Sequence, residues 1–131
     1  LAVLAANPSA IVARIGWQIG AAPGSNNMID FLTKQQAEHG EIRASTRWLP
    51  ATSFLADTSA TLIHLLNEAN GGIYLVNSNS KWNFFEIVTA LNEKHGRLWH
   101  VTPTEEFVYD QRMLDGRVQI PQLIGRLPTL P

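Results

Sequence analysis

The residues able to do chemistry in this 131-residue chain fall into four sets: histidines, spaced glycines, clustered carboxylates and tail arginines. His39, His64, His95 and His100 make no H-x-x-x-H pair and no H-E-x-x-H arrangement, the spacings that set two metal ligands on one helix face. His39 and His95 each precede a glycine at a predicted helix end, where an imidazole faces the last carbonyls and the negative end of the dipole. His64 reads as a core-edge residue near the apolar face of its helix. Gly16, Gly20 and Gly24 recur at intervals of four, which is not the dinucleotide fingerprint G-x-G-x-x-G, and no acidic residue follows where a ribose partner belongs. No G-x-S-x-G elbow exposes a serine nucleophile. Glu105 and Glu106 with Asp110 or Asp115 form a candidate acid/base set, beside the plainer reading of solvated surface charges. Arg112, Arg117 and Arg126 supply guanidinium forks suited to clamping a diphosphate. The alternative is that they pair with Asp110 and Asp115.

Composition narrows the classes. Lys and Arg number 10 against 11 Asp and Glu, for a net charge of −1, and no segment concentrates basic residues. Nucleic acid and anionic membrane surfaces are therefore poor partners. There is no cysteine, hence no disulfide framework and no thiolate metal site, which fits a reducing, cytoplasmic setting. No apolar run approaches the roughly 18 residues that span a bilayer. The opening LAVLAANP lacks the length and basic region of a signal peptide. It reads instead as the last turns of a helix stopped at Asn7-Pro8, and the sequence ends on RLPTLP. The chain is accordingly expected to be a piece of a longer protein.

Strands alternate with helices along the sequence. IVARIGWQIG, residues 11–20, reads as a buried strand over Ile11–Ile15 running into a glycine-bearing loop. Gly16 and Gly20 allow a sharp turn or the close approach of a ligand. Trp17 sits at the carboxyl end, where open α/β sheets bind their ligands; the alternative is that it caps the core. After a 21–25 loop, Asn26 or Asn27 caps a helix with Met28, Phe31 and Leu32 on one face, ending near His39-Gly40. A short strand is predicted over 41–44 and an irregular stretch over STRWLP. Asp57 is the predicted N-cap of a helix burying Leu62, Ile63, Leu65, Leu66 and Ala69. A strand over 73–76 and a polar loop over 77–80 follow. The next helix starts at Ser80 or Asn83, with Asn83 and Glu86 at capping-box spacing and Phe84, Ile87, Val88 and Leu91 inward. A strand over 98–101, a loop with the start of a short helix over 103–106, and a mostly irregular tail complete the chain. The fold class is α/β, with few short parallel strands and three main helices.

Taken in order, these motifs resemble the C-terminal half of the dTDP-4-dehydrorhamnose reductase family, within the extended short-chain dehydrogenase/reductases. The matching positions begin with Arg14, Trp17 and Gly20, then Gly24, Asn26 and Asn27, then Pro50 and Asp57. They continue with Gly72, Tyr74 and Asn77, then Trp82 and Glu86, then Thr104 to Phe107, and end at Leu114 and Asp115. The resemblance covers nearly the whole chain. It implies a parent enzyme whose N-terminal Rossmann portion binds NADP or NAD and whose C-terminal portion closes over a nucleotide-sugar. It also implies a Tyr-x-x-x-Lys pair that protonates the sugar oxygen as hydride arrives. That pair is not in this chain: four residues after Tyr74 and Tyr109 stand Ser78 and Met113.

Residues 1–131 are therefore expected to form a single substrate-binding C-terminal portion without the cofactor-binding Rossmann part. Such a piece should bind no cofactor and turn over nothing. The resemblance places Trp17 in the wall of the sugar pocket, and Asn27, Arg112 and Asp115 in segments near the nucleotide-sugar. Where the family often has Thr-Ser before the tryptophan and Val-Tyr-Gly after it, this chain has Ile15-Gly16 and Gln18-Ile19-Gly20. The stretch from Pro50 to Asp57 is longer than the family's, and Met113 stands where a proline is usual. These departures motivate a second reading, a non-catalytic regulatory or binding relative of the same fold. A third is an unrelated small α/β domain. If the Rossmann part is missing, the Ile11–Ile15 strand lacks its cover, and self-association through it or through neighbouring apolar faces is expected.

Overall fold

The computed structural model describes residues 2–24 and 26–131. Leu1 and Ser25, the latter in the predicted 21–25 loop, lie outside the described residues. In chain order the elements are α1 (Ala2–Ala6), β1 (Ile11–Ile15), β2 (Trp17–Ile19), α2 (Met28–His39), β3 (Ile42–Ser45), β4 (Trp48–Leu49) and β5 (Thr52–Phe54). Then follow α3 (Leu55–Glu68), β6 (Gly72–Val76), α4 (Phe84–Lys94), β7 (Val101–Thr104), β8 (Tyr109–Asp110) and a 3-10 turn, Leu123–Gly125. The strands pair two by two, all parallel: β1 with β6, β2 with β5, β3 with β7 and β4 with β8. Parallel partners need long crossovers, and the three main helices lie within them.

Two of these helices are set by their own sequence. Asn27 caps α2: its Oδ1 accepts from the Ile29 N–H at 2.8 Å, and the Asp30 carboxylate accepts from the Asn27 N–H at 2.9 Å. Asn83 and Glu86 make the same reciprocal pair at the start of α4. Met28, Ile29 and Leu32 of α2 meet Ile87, Val88 and Leu91 of α4 in the main core, with Ile42 and Ala44 of β3 between them. Phe31 corrects the predicted face of α2, for it is 41% exposed while Ile29 is buried.

Helix α3 departs furthest from prediction. It begins at Leu55, because β5 runs straight into it and Phe54 takes the cap position without a side-chain bond. Asp57 is thus the third helical residue, not the N-cap, and its carboxylate receives two hydrogen bonds from Arg126 at 2.8 Å each. The buried face is Asp57, Thr58, Thr61 and Leu65, whereas Ile63 and Leu66 are 62% and 75% exposed. His64 is likewise exposed rather than at the core edge. A polar cluster explains the inversion. Thr58 donates to Gln18 Oε1 at 2.6 Å and shares a 2.7 Å bond with Ser53, so the face against β2 and β5 is hydroxyl-rich.

The β elements also differ from expectation. The opening strand does not end in a loop at Gly16; it resumes as β2, because the Trp17 N–H reaches the Ala51 carbonyl at 2.9 Å. STRWLP contains β4, and the strand expected over 98–101 forms at 101–104, each drawn into register by a partner far along the chain. No helix forms at 103–106. The polar loop after β6 is a buried junction. Asn79 Nδ2 donates to the Pro50 and Trp82 carbonyls at 2.8 Å each, and Asn77 Oδ1 accepts from the Thr52 N–H at 2.9 Å. Among the described residues no helix is long and apolar enough to cross a membrane.

Candidate functional site

Trp17 is held by its backbone. Its N–H bonds Ala51 and its carbonyl accepts from the Thr52 hydroxyl at 2.6 Å, which fixes the end of β2 against β5. Gly16 makes this possible, since a Cβ there would lie 2.2 Å from the Ala51 oxygen. Gly20 has the same kind of role, because a Cβ would lie 2.4 Å from the Asn27 side-chain nitrogen. Both glycines therefore make room for other parts of this chain, Ala51 and Asn27. Neither offers the open backbone that a dinucleotide pyrophosphate requires.

From Trp17 a run of aromatic rings extends across the surface. Phe31 meets Trp17 edge to face at 5.1 Å, and Trp48 stacks on it at 6.2 Å. Phe84 lies behind both, 4.5 Å from Trp48. Phe107 meets Trp48 edge-on at 5.1 Å, and Tyr109 stacks on Phe107 at 6.0 Å. Trp48 is fixed by its indole N–H, which donates to Gln111 Oε1 at 2.7 Å. The Ser45 hydroxyl ties down the Phe107 carbonyl at 2.6 Å. A groove of about 230 Å³ runs between Phe31, Trp48, Phe84 and Phe107, with the Arg43–Glu106 ion pair at its rim. Aromatic faces bordered by polar groups suit a flat ring with an apolar face and polar edges. The sequence marks Trp17 alone. Trp48 lies in a stretch without periodicity, the helical pattern points Phe31 inward, and Phe107 joins them through the β4–β8 pairing.

The other predicted site residues are engaged elsewhere. Asn27 is buried, with its Oδ1 on Ile29 and its Nδ2 donating to the Ala22 carbonyl at 3.2 Å. Arg112 makes a bidentate pair with Asp110 and also donates to the Ser80 carbonyl at 2.7 Å. Asp115 makes the same pair with Arg117 and accepts from the Leu75 N–H at 3.1 Å, while Arg117 donates to the Ile73 carbonyl at 2.6 Å. The tail thus carries two Asp-x-Arg clasps, at 110–112 and 115–117. The second satisfies two backbone groups of β6 that no strand pairs.

These clasps set the local electrostatics. The Arg112 guanidinium holds the Asp110 carboxyl down at about 2. Hydrogen bonds from Arg117 hold Asp115 well below the usual carboxylate range, against the opposing effect of burial. The three arginines are raised in turn by their aspartates. The pairing alternative is therefore the one realised for Arg112 and Arg117, and Arg126 takes Asp57. The proposed acid/base set does not assemble: Glu106 pairs with Arg43, and Asp110 and Asp115 with their own arginines. Partial burial, with Lys94 nearby, lowers the pKa of His95 at the end of α4. Among the described residues no cluster of His, Asp or Glu could hold a metal ion.

No family model and no curated protein matches the sequence. Solved structures match the fold. The dTDP-4-dehydrorhamnose reductase of Bacillus anthracis, in complex with NADP, superposes with a TM-score of 0.72 at 16% identity, over 93% of this chain and 47% of its own. The dTDP-4-dehydrorhamnose reductase of Clostridium acetobutylicum gives 0.72 at 18% identity, over 92% and 46%. The UDP-N-acetylglucosamine 4-epimerase of Bacillus cereus gives 0.61 at 17%, over 87% and 42%. The chain therefore has the α/β fold of one part of the Rossmann-type extended short-chain dehydrogenase/reductases. It spans less than half the length of these structures.

Proposed function

We propose that this chain is the substrate-binding, C-terminal portion of a cytoplasmic, NAD(P)-dependent nucleotide-sugar reductase or epimerase related to dTDP-4-dehydrorhamnose reductase. The observation that carries the reading is the aromatic wall headed by Trp17, in a fold shared with enzymes named for nucleotide-sugar substrates. In this reading Trp17 presents a ring face to the sugar and the groove beside it continues the contact. Asn27, which fixes the start of α2, and Arg112 and Asp115, which clasp the tail, hold the segments bordering the nucleotide-sugar. The residues present do not fit a dinucleotide site, since Gly16, Gly20 and Gly24 do not make the G-x-G-x-x-G turn and a Cβ at Gly16 would already meet the Ala51 carbonyl. The dinucleotide and the proton donor belong to the remainder of the parent, and the isolated chain is inactive. Without that remainder, β1 and the outward face of α3 are the surfaces through which the chain self-associates.

The coding sequence upstream of Leu1 tests this directly. A strand–glycine loop–helix and a Tyr-x-x-x-Lys close to Leu1 are the expected finding, and the absence of both overturns the reading. In the isolated chain, titration with dTDP- and UDP-sugars should quench tryptophan fluorescence saturably, and Trp17→Ala should weaken binding about tenfold, the loss of one stacked aromatic face. A second reading, a non-catalytic relative, draws on Ile19, which is fully buried at the position where the family has an aromatic residue in the pocket wall. An upstream glycine loop without the Tyr-x-x-x-Lys pair would favour it.

A further inference from the structure

A second cavity, of about 340 Å³, opens where the end of β2, the start of α3 and the last turn of α4 meet. It shares no lining residue with the groove beside Trp17. Its volume lies within the roughly 300–1,000 Å³ typical of small-molecule pockets. Ile19 and Phe54, both buried, make its inner surface. Leu55 stands at the mouth, 44% exposed, an apolar side chain that the rest of the chain leaves half uncovered. The charged groups in the lining are Lys94 and Arg126, and no carboxylate joins them.

The two cations are not equivalent. Arg126 is spent, its Nε and Nη2 both donating to Asp57 at 2.8 Å, with its guanidinium 5.6 Å over the Phe54 ring. Lys94 forms no ion pair among the described residues; its Nζ donates to the Arg126 carbonyl at 3.3 Å. Its neighbour Glu93 is turned to Arg97. Among the described residues the cavity is therefore an apolar recess with one positive charge, that of Lys94, outside any ion pair at its edge. The complementary ligand has an apolar body and one negative charge.

We propose that this cavity binds a small carboxylate with an aryl or short acyl body. The body lies against Ile19, Phe54 and Leu55, and the carboxylate accepts from the Lys94 ammonium. The site is independent of the nucleotide-sugar reading and stands or falls apart from it.

The test is a two-dimensional amide NMR titration of the 131-residue chain with benzoate and, as a neutral partner of the same shape, benzyl alcohol. Benzoate should shift the Ile19, Leu55, Ala56 and Ser59 amides saturably. It should bind about tenfold more tightly than the alcohol, the size of one charge-assisted hydrogen bond at a partly solvated site. Lys94→Gln, a change at an exposed position, should erase that difference and leave alcohol binding unchanged. Equal affinities for the two probes overturn the role of Lys94. Shifts centred elsewhere, or no saturable shift up to the solubility limit of benzoate, overturn the site.

Discussion

Helices α2 and α4 turn Ile29, Leu32, Ile87, Val88 and Leu91 inward, whereas α3 turns Asp57, Thr58 and Thr61 inward and leaves Ile63 and Leu66 in solvent. The two sides of the molecule differ accordingly. The α2–α4 side is continuous with β3, the 3-10 turn and the tail through Ile42, Leu123, Leu127 and Leu130. Around β1 and β6 the buried residues are Leu65, Tyr74 and Val76, with partly covered neighbours such as Ile11 and Leu62. An apolar stripe on a helix reports that a face needs cover; it does not say which chain supplies it. The α2–α4 side supplies its own, and the β1–β6 side is covered in part, by Leu62 and Leu65 of α3 and by Val118 and Ile120 of the tail.

That contrast can be broken by paired truncations. Leu91→Ala, deep in the main core, should cost about 4 kcal/mol, and Leu65→Ala in the thin cluster about 2 kcal/mol, because the latter site can collapse toward solvent. Urea unfolding followed by far-UV circular dichroism measures both. Equal costs would mean that the β1–β6 layer is as tightly packed as the rest.

Acid should act on the thin side through its clasp. Asp110 and Asp115 both have folded-state pKa values below the ordinary 3.8, so the unfolded chain binds more protons than the native one as acid is added. The stabilisation they supply is whole above about pH 5 and is lost progressively as pH falls through about 2 for Asp110 and lower still for Asp115. The urea midpoint should fall between pH 5 and pH 3. Asp115→Asn should lower the midpoint at pH 7 and flatten that acid limb. A variant whose limb runs parallel to the parent's would remove Asp115 from the account.

The smallest expected effect concerns the outward face of α3. Ile63→Lys should change stability by no more than about 0.5 kcal/mol, since the side chain leaves no core behind. It should also shift sedimentation toward monomer at high protein concentration. A parent chain that is monomeric under the same conditions would show that the outward face of α3 is not sticky in isolation.

What the sequence made legible was local. The helix starts are announced by their asparagines: of Asn26 and Asn27 the cap is Asn27, and of Ser80 and Asn83 it is Asn83, whose reciprocal carboxylate Glu86 lies three residues on. Trp17 stood out because a tryptophan between glycines at a strand end is unusual in itself. What stayed hidden depends on partners far away in sequence. Asp57 looks like a cap until Arg126, 69 residues later, claims its carboxylate. Trp48 and Phe107 belong to segments with no periodicity of their own and become a wall only when β4 meets β8. The inverted face of α3 was illegible for a related reason, since Thr58 is drawn inward by Gln18, a residue 40 positions earlier.

The all-parallel pairing also governs when this chain can fold during synthesis. Among the described residues no strand pairs with a neighbour across a tight turn; register partners stand 35 residues apart at Trp17 and Thr52 and 61 apart at Trp48 and Tyr109. Core positions reach Leu130, and the Trp82 indole is satisfied only by the Pro131 carbonyl. During synthesis β1 and β3 therefore wait for β6 and β7, about 60 residues further on, and their pairing is dominated by distant contacts. Slow folding is the consequence of building every sheet from strands that must wait for one another.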